Sequence, residues 1–503
     1  MEIHRFLSGC AAMAFVALFS GCNSTDPAIG SYNSCKVYDK PLFGNIARKS
    51  AEYQGPARNP VIVIHGFLGA RLKNHVTGKT VWGDFTGREA FNGYSNEHLR
   101  QLSHPMGEGK RLDQLKDNVY AYKLLSKFNV KLLGIQFHVD AYNKLIQILT
   151  IAGYVPSHRP LPEGKKFYSL FTFYYDWRRD LPENAKRLDH FISKKRKYLQ
   201  HEYEKLYGLK NFDVQFDIIA HSMGGLLSRY YLRYGGDDLP ADGSLPDLEW
   251  KGSKYIDKLI IVGTPNAGYL DTCVELVNGL QVDPRAPAYP PSVIGTFATY
   301  YQMLPLTSTR SVIEKGSGKN IDMFDIRNWI KYKWGLADPG QDKYLKIMLP
   351  GVKKKSQRYM IALDHLRKCL ARAKQFTEAM RIYDLPPKDI AMILFAGDAV
   401  KTSRQAEVDP QTGKLTVTKY EAGDGKVLAS SARMDEREGR EWVPFMQSPI
   451  NWRAVIHLKA AHMGITESYA FADNVSYYLL SFPTPKQSKL RKYLKETKKN
   501  RVK

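Results

Sequence analysis

Apolar residues in this chain gather into six short runs, at Val61–Ile64, Tyr168–Tyr174, Val214–Ala220, Lys258–Val262, Ile390–Ala396 and Arg453–His457. Each is rich in branched or aromatic residues and short enough for a strand. Such continuous runs suit strands buried on both faces, as in a parallel sheet. Between several of them the spacing turns helical. Leu226, Leu227, Tyr230, Tyr231 and Tyr234 mark one apolar helix face, and Tyr469, Phe471, Val475, Tyr478 and Leu479 mark another. Strands alternating with helices predict an α/β fold with a mostly parallel sheet.

Two intervals break that rhythm. From Gly268 to Pro387 the chain is far too long for one crossover. It carries a helical pattern over Tyr359–Tyr383 and apolar surface at Trp329, Trp334 and Met348, and is read as a helical cap insertion of about 269–387. Asp84–Lys110, rich in glycine and polar groups, reads as a second, looser lid. Asp409-Pro410-Gln411-Thr412-Gly413 has the composition of a hairpin turn.

The candidate chemistry starts where the third run ends. Ile218-Ile219-Ala220-His221-Ser222-Met223-Gly224-Gly225 carries a buried strand into small-x-Ser-x-Gly and then into a helix. That strand–turn–helix context marks a nucleophile elbow, which pushes the serine oxygen clear of the backbone. Ser222 is the candidate nucleophile. A serine hydroxyl needs a general base, and the base an orienting acid, which follow in the order Ser, Asp/Glu, His on a sheet of this kind. His462, before the last apolar helix, is the candidate base. Two acids compete on the residues alone: Asp398, just after the strand Ile390–Ala396, and Asp424, between glycines after the hairpin. Oxyanion stabilisation needs amide donors. Met223, following the serine, supplies one, and the loop His65-Gly66-Phe67-Leu68-Gly69 after the first strand supplies the other. Leu68 is the favoured residue there, with Phe67 next.

These blocks resemble the lecithin–cholesterol acyltransferase family of α/β-hydrolases, which includes phospholipases of the A type. The resemblance rests on Val61 to Leu72, Tyr175-Asp176-Trp177-Arg178, the elbow at Ser222, Gly263-Thr264-Pro265-Asn266-Ala267-Gly268, Gly423-Asp424-Gly425-Lys426-Val427 and the His462 segment. Tyr-Asp-Trp-Arg is the discriminating block. The resemblance implies an α/β-hydrolase fold, places the acid at Asp424 rather than Asp398, and places the second oxyanion amide at Leu68. His65 stands where vertebrate acyltransferases carry proline, and Ala220 replaces the first elbow glycine, so acceptor specificity does not carry over. Trp177 and Arg178 read as a strand-end aromatic and a structural ion pair, with no catalytic role.

The N-terminus adds a destination. Arg5 and the apolar stretch Ala11–Phe19 form a secretory signal too short to span a bilayer. Leu18-Phe19-Ser20-Gly21-Cys22 resembles a bacterial lipoprotein signal, with cleavage before Cys22 and lipid on its sulfur; plain secretion is the alternative. Cys35, Cys273 and Cys369 then remain and allow at most one disulfide, and no Cys/His cluster has zinc-ligand spacing. The domain layout follows: 1–21 signal peptide, 22–56 tether, 57–484 hydrolase domain with its cap, and 485–503 basic tail. The formal charge, 74 − 50 = +24, is concentrated partly in that tail and partly at Lys353-Lys354-Lys355. Basic tracts attract nucleic acid or anionic lipid; behind an export signal, an anionic phospholipid membrane is the expected partner and nucleic acid is not.

The expectation is a lipid-anchored enzyme of the bacterial envelope that hydrolyses or transfers acyl chains of lipid esters, without metal or cofactor. A triacylglycerol lipase or broad carboxylesterase is the alternative within the class. A non-enzymatic surface lipoprotein on the same fold is the alternative outside it.

Overall fold

The computed structural model describes residues 50–84, 93–125, 128–132, 135–139, 142–282, 287–435 and 448–502. The expected signal segment, Cys22, Cys35 and most of the expected tether lie outside these residues.

All six predicted strands form, and they form one sheet: β1 (Val61–Ile64), β2 (Leu170–Phe173), β3 (Phe216–His221), β4 (Ile256–Val262), β5 (Ala391–Gly397) and β6 (Ala454–Leu458). Their order is β6-β5-β4-β3-β1-β2, every pair parallel. The pleat sends alternate residues to opposite faces. Val61, Val63, Ile219, Ile260, Ile393 and Phe395 meet helices α1 (Asn143–Ile151) and, further along the chain, α6 (Tyr469–Ser476). Ile62, Ile64, Ile218, Ala220, Leu259 and Leu394 meet the other face's helices, α2 (Leu181–Tyr207) and α3 (Met223–Tyr234). Burial on both faces is why β1 to β5 are largely apolar, whereas the edge strand β6 is only partly buried. The chain passes from β1 to β2 on one side and then to β3 on the other. That reversal opens a crevice at the C-terminal strand ends between β1 and β3, where ligands bind in open α/β sheets.

Between β4 and β5 lie α4 (Leu270–Asn278), several short helices and the long α5 (Lys355–Arg381). Trp329 and Trp334 are wholly buried, contrary to the expected apolar surface. Their ring N–H groups donate to the carbonyls of Met323 at 2.8 Å and Gly413 at 2.6 Å. An indole carries a large apolar area and one donor, and a core with a free carbonyl satisfies both. The second bond fastens the insertion to the hairpin Val400–Val408/Leu415–Gly423, whose turn falls at the expected Asp409–Gly413.

The described part of the segment expected to be a looser lid or loop carries a helix. Asn96–Leu102 is helical, capped by Ser95, with Leu99 and Leu102 buried; residues 85–92 lie outside the description. The segment read as a basic tail is a helix, α7 (Pro485–Val502). Among the described residues no helix is long and apolar enough to cross a membrane.

Candidate active site

Ser222 sits at the junction of β3 and α3 with φ 54° and ψ −129°. An L-residue rarely adopts positive φ, and such strain persists only where the surroundings fix it. Here the Ser222 N–H donates to Val262 O at 2.7 Å, and its carbonyl accepts from the Gly225 N–H at 2.9 Å and from Thr264 Oγ1 at 2.8 Å. The turn also needs Gly224, where a Cβ would lie 2.4 Å from His65 O. The small-x-Ser-x-Gly pattern is thus a record of how closely α3 approaches the loop after β1.

The structure brings Ser222, His462 and Asp424 together from three separate strand ends. His462 Nδ1 lies 2.8 Å from Asp424 Oδ2, and Nε2 lies 3.0 Å from Ser222 Oγ. A carboxylate only accepts, so Nδ1 carries the proton and Nε2 is left to accept the serine hydroxyl. The other carboxylate oxygen of Asp424 accepts the N–H groups of Lys426 at 2.9 Å and Val427 at 2.7 Å. Burial pushes this carboxyl up, but the His462 ring and these hydrogen bonds outweigh it and hold Asp424 below its ordinary range. It remains a carboxylate at neutral pH.

Asp398 stands elsewhere. Its side chain is 44% exposed and its carboxylate lies 3.7 Å from His457 Nδ1. Sequence proximity to a strand end could not separate the two acids. The hairpin separates them in space, because Leu415–Gly423 returns beside Val400–Val408 and brings Asp424 beside His462.

Loop 65–69 lies against Ser222: a Cβ on Gly66 would come within 2.7 Å of the serine Cβ. Leu68 has φ 60°, a second strained residue at the site. Met223 opens α3, so its N–H is among the first-turn donors that have no acceptor inside the helix and that attract negative charge. His65 shapes the loop from below. Its Nδ1–H donates to Gly66 O at 2.8 Å, its Nε2 accepts the Tyr175 N–H at 3.3 Å, and its ring stacks on Tyr175. Burial holds His65 down at about 4, so it stays neutral.

Two residues that sequence reasoning missed join these parts. The Gly66 N–H donates to Tyr142 Oη at 2.8 Å, and that hydroxyl lies 3.1 Å from His221 Nδ1. His221 Nε2 lies 3.2 Å from the His462 carbonyl oxygen. A carbonyl only accepts, so Nε2 carries the proton and Nδ1 accepts from Tyr142. A single chain of hydrogen bonds therefore runs from the loop after β1 to the backbone of His462. It also occupies the Gly66 amide, which leaves the amides further along that loop. His221 lies inside the elbow motif, where the pattern singles out only its neighbour Ser222, and Tyr142 precedes α1 with no sequence signal.

A cavity of about 380 Å³ opens over Ser222 and His462. Phe67, Leu68, Leu125, Leu280, Val282 and Met463 give it apolar walls. Tyr269, Glu275 and Lys426 give it a polar one. Lys426 Nζ reaches Asp271 at 3.0 Å and Glu275 at 3.4 Å, and Tyr300 donates to Glu275. Burial raises the Glu275 carboxyl, with Lys426 opposing. Asp271 and Glu275, four apart on α4, look in sequence like an ordinary solvated helix face.

Tyr-Asp-Trp-Arg builds structure beneath this floor. Arg178, fully buried, pairs with Asp176 and Asp117 at 2.7 Å each and donates to Leu102 O at 2.9 Å. Trp177 Nε1 donates to Ala70 O at 3.0 Å. Cys273 and Cys369 are buried free thiols. Among the described residues no group of three His, Cys, Asp or Glu could hold a metal ion.

The lecithin:cholesterol acyltransferase family model matches residues 119–345. That span takes in Tyr175–Arg178, Ser222 and Gly263–Gly268; Leu68, Asp424 and His462 fall outside it. No curated protein matches the chain. Among solved structures, the Tle4–Tli4 complex aligns at TM-score 0.53 and 13% identity, covering 85% of this chain and 99% of that one. EstA from Clostridium botulinum aligns at TM-score 0.31 and 10% identity over 87% of this chain and 90% of its own. Lipase 1 from Pelosinus fermentans gives 0.31 and 10% over 84% and 99%. At such identity the first of these is a likeness of fold. The fold is that of the α/β-hydrolases.

Proposed function

We propose that this chain is a serine-dependent acyl hydrolase or acyltransferase acting on lipid esters at the bacterial envelope. The observation that carries the reading is the hydrogen-bonded relay Asp424–His462–Ser222 on the floor of a largely apolar cavity. Ser222 Oγ attacks the ester carbonyl as His462 Nε2 takes its proton. Asp424 holds the imidazole in the required tautomer and stabilises the imidazolium. The amides of Met223 and Leu68 receive the negative charge that develops on the carbonyl oxygen. His462 returns its proton to the departing alcohol, and water or a lipid alcohol then takes the acyl group from the serine.

The walls speak to the substrate class. Apolar residues suit an acyl chain, and the Asp271–Glu275–Lys426 cluster favours a lipid with a polar headgroup over a triacylglycerol. Lipidation of Cys22 places the enzyme on the envelope; this part rests on the sequence at Leu18–Cys22 alone.

Purified Ser222→Ala and the parent protein should be compared on a short-chain nitrophenyl ester, a phospholipid and a triacylglycerol. The substitution should lower turnover by roughly 10⁵–10⁶-fold with the melting temperature unchanged, because nothing replaces the nucleophile. Wild-type turnover by the variant would overturn the reading. Faster cleavage of triacylglycerol than of phospholipid by the parent protein would favour a general lipase.

A further inference from the structure

The opposite end of the sheet holds a second buried polar group that the chemistry does not use. Asp217, Asp257 and Lys258 lie near the N-terminal ends of β3 and β4, with Asn59 just before β1, all buried. Lys258 Nζ reaches Asp257 at 3.2 Å and Asp217 at 3.4 Å. Asn59 Nδ2 donates to Asp217 at 2.9 Å and to Asp257 at 2.8 Å. The network continues into the C-terminal helix. Gln487 Oε1 accepts from Lys258 Nζ at 2.9 Å, and the Thr484 hydroxyl donates to Asp257. Lys486 Nζ donates to Gln215 Oε1 at 2.7 Å. Burial raises the hydroxyls of Tyr53 and Tyr154, and Arg491 lies near enough to both to oppose this slightly.

These contacts lay α7 across the N-terminal strand ends, from β4 toward β1, with Leu490 and Leu494 packed inward. The helix is therefore held in place by buried charges far from it in sequence. Ser222 stands five residues beyond Asp217 along β3, about 16 Å away at about 3.3 Å per residue, at the other end of the sheet. Outward from α7 project Lys489, Lys492 and Lys495, all exposed. Over Lys486–Lys503 the sequence has nine Lys/Arg against one acid, Glu496. The first described residues share this face: Arg58 Nη1 donates to Ser50 O at 2.7 Å and to Ala152 O at 3.0 Å, beside the start of β1.

We propose that this face docks on an anionic phospholipid bilayer, which turns the active-site cavity away from the surface the protein sits on. A basic helix pinned by a buried network presents its charges as a fixed array, and each lysine near such a surface adds to the attraction. The charge is peripheral, and among the described residues no helix is long and apolar enough to cross a membrane, so the contact is salt-sensitive. Combined with the proposed acyl chemistry, this orientation means that the enzyme takes its lipid from an apposed bilayer or a micelle rather than from the leaflet beneath it.

The test uses the full chain carrying Ser222→Ala and Cys22→Ser, so that neither turnover nor attached lipid contributes. It should co-sediment with vesicles containing about 30% phosphatidylglycerol, and not with phosphatidylcholine alone. About 0.5 M salt should release it. Lys489→Glu, Lys492→Glu and Lys495→Glu together should weaken vesicle binding at least about tenfold. The control, Lys353→Glu, Lys354→Glu and Lys355→Glu on the insertion, should change it by less than about twofold. Both triple variants, remade with Ser222 restored, should keep the parent's turnover of a soluble short-chain ester, which separates this inference from the assignment of the site. Equal losses in the two triples, a larger loss in the control, or tighter binding to a short RNA than to vesicles would overturn the docking surface.

Discussion

Replacing Asp424 with asparagine tests the relay more sharply than removing the serine, because the outcome follows from which atoms can donate. One carboxylate oxygen accepts two backbone N–H groups, from Lys426 and Val427. In Asp424→Asn that position must remain an acceptor, so the amide oxygen takes it and the NH₂ turns toward His462 Nδ1. Facing a donor, Nδ1 must give up its proton and accept. The proton then sits on Nε2, 3.0 Å from Ser222 Oγ, where a base is required. The ring can no longer take the serine proton. The comparable change in a serine protease costs about 10⁴-fold, which corresponds to about 5.4 kcal/mol of barrier. Asp398→Asn alters an exposed carboxylate that faces His457, and should change kcat/KM by less than about threefold. Side-by-side kinetics on one soluble ester, with circular dichroism to establish that both variants fold, reads the difference. A greater loss in Asp398→Asn would refute the reasoning, and so would near-normal turnover by a folded Asp424→Asn.

Two further outcomes follow from other parts of the chain. Cys22→Ser should yield a soluble protein with the parent's turnover and no lipid; mass spectrometry of the parent's mature N-terminus showing an unmodified residue, or cleavage elsewhere, would remove the anchor. Acid should destabilise the fold through its buried imidazoles: burial holds His65 and His365 at about 4 and, with the nearby His462 ring, His221 at about 3. Their stabilising contribution is present above the unfolded value of about 6.5 and is lost as pH falls through that value toward the folded ones. At pH 5.5 each costs about 1.4 kcal/mol and the three together about 4 kcal/mol. Asp217 opposes this, since burial raises its carboxyl and its contribution is lost as pH rises. Urea midpoints at pH 7.5 and 5.5 measure the net; a midpoint that rose on acidification would contradict the buried neutral histidines.

What could be read from sequence tracks how local each cause is. Strand identity was legible because two-sided burial forces largely apolar runs in β1 to β5, and all six runs, the partly buried edge strand β6 included, became strands of one sheet. The turn at Ser222 was legible because a tight turn admits only small neighbours, and Gly224 leaves no room for a Cβ. The choice of acid was not local. Asp398 and Asp424 both follow strands, and only the pairing of Val400–Val408 with Leu415–Gly423 carries Asp424 to the imidazole. Trp329 and Trp334 misled for a related reason: an indole looks alike in sequence whether it lines a cleft or fills a core, and the carbonyls that satisfy it come from distant residues. The polar tail concealed its own docking, because Gln487 and Thr484 are held by charges more than two hundred residues earlier.

The pair of imidazoles at the site depends on one of them never charging. His221 and His462 have ring centroids 4.8 Å apart. In the proposed mechanism His462 becomes an imidazolium as Ser222 attacks, and a charged His221 at 4.8 Å would oppose it by about 3.5 kcal/mol at an effective dielectric of about 20. Burial and the neighbouring ring hold His221 near 3, so it remains neutral wherever His462 can act as a base. Neutrality also fixes its hydrogen bonds, since a protonated ring would have two donors and could no longer accept from Tyr142. That bond keeps the hydroxyl turned away from the Gly66 N–H, free to receive it. The same desolvation that removes His221 as a competing base therefore makes it a directional link between the loop that carries Leu68 and the backbone that carries His462. Two strand ends that must keep register during attack are joined by a group that does not titrate with them.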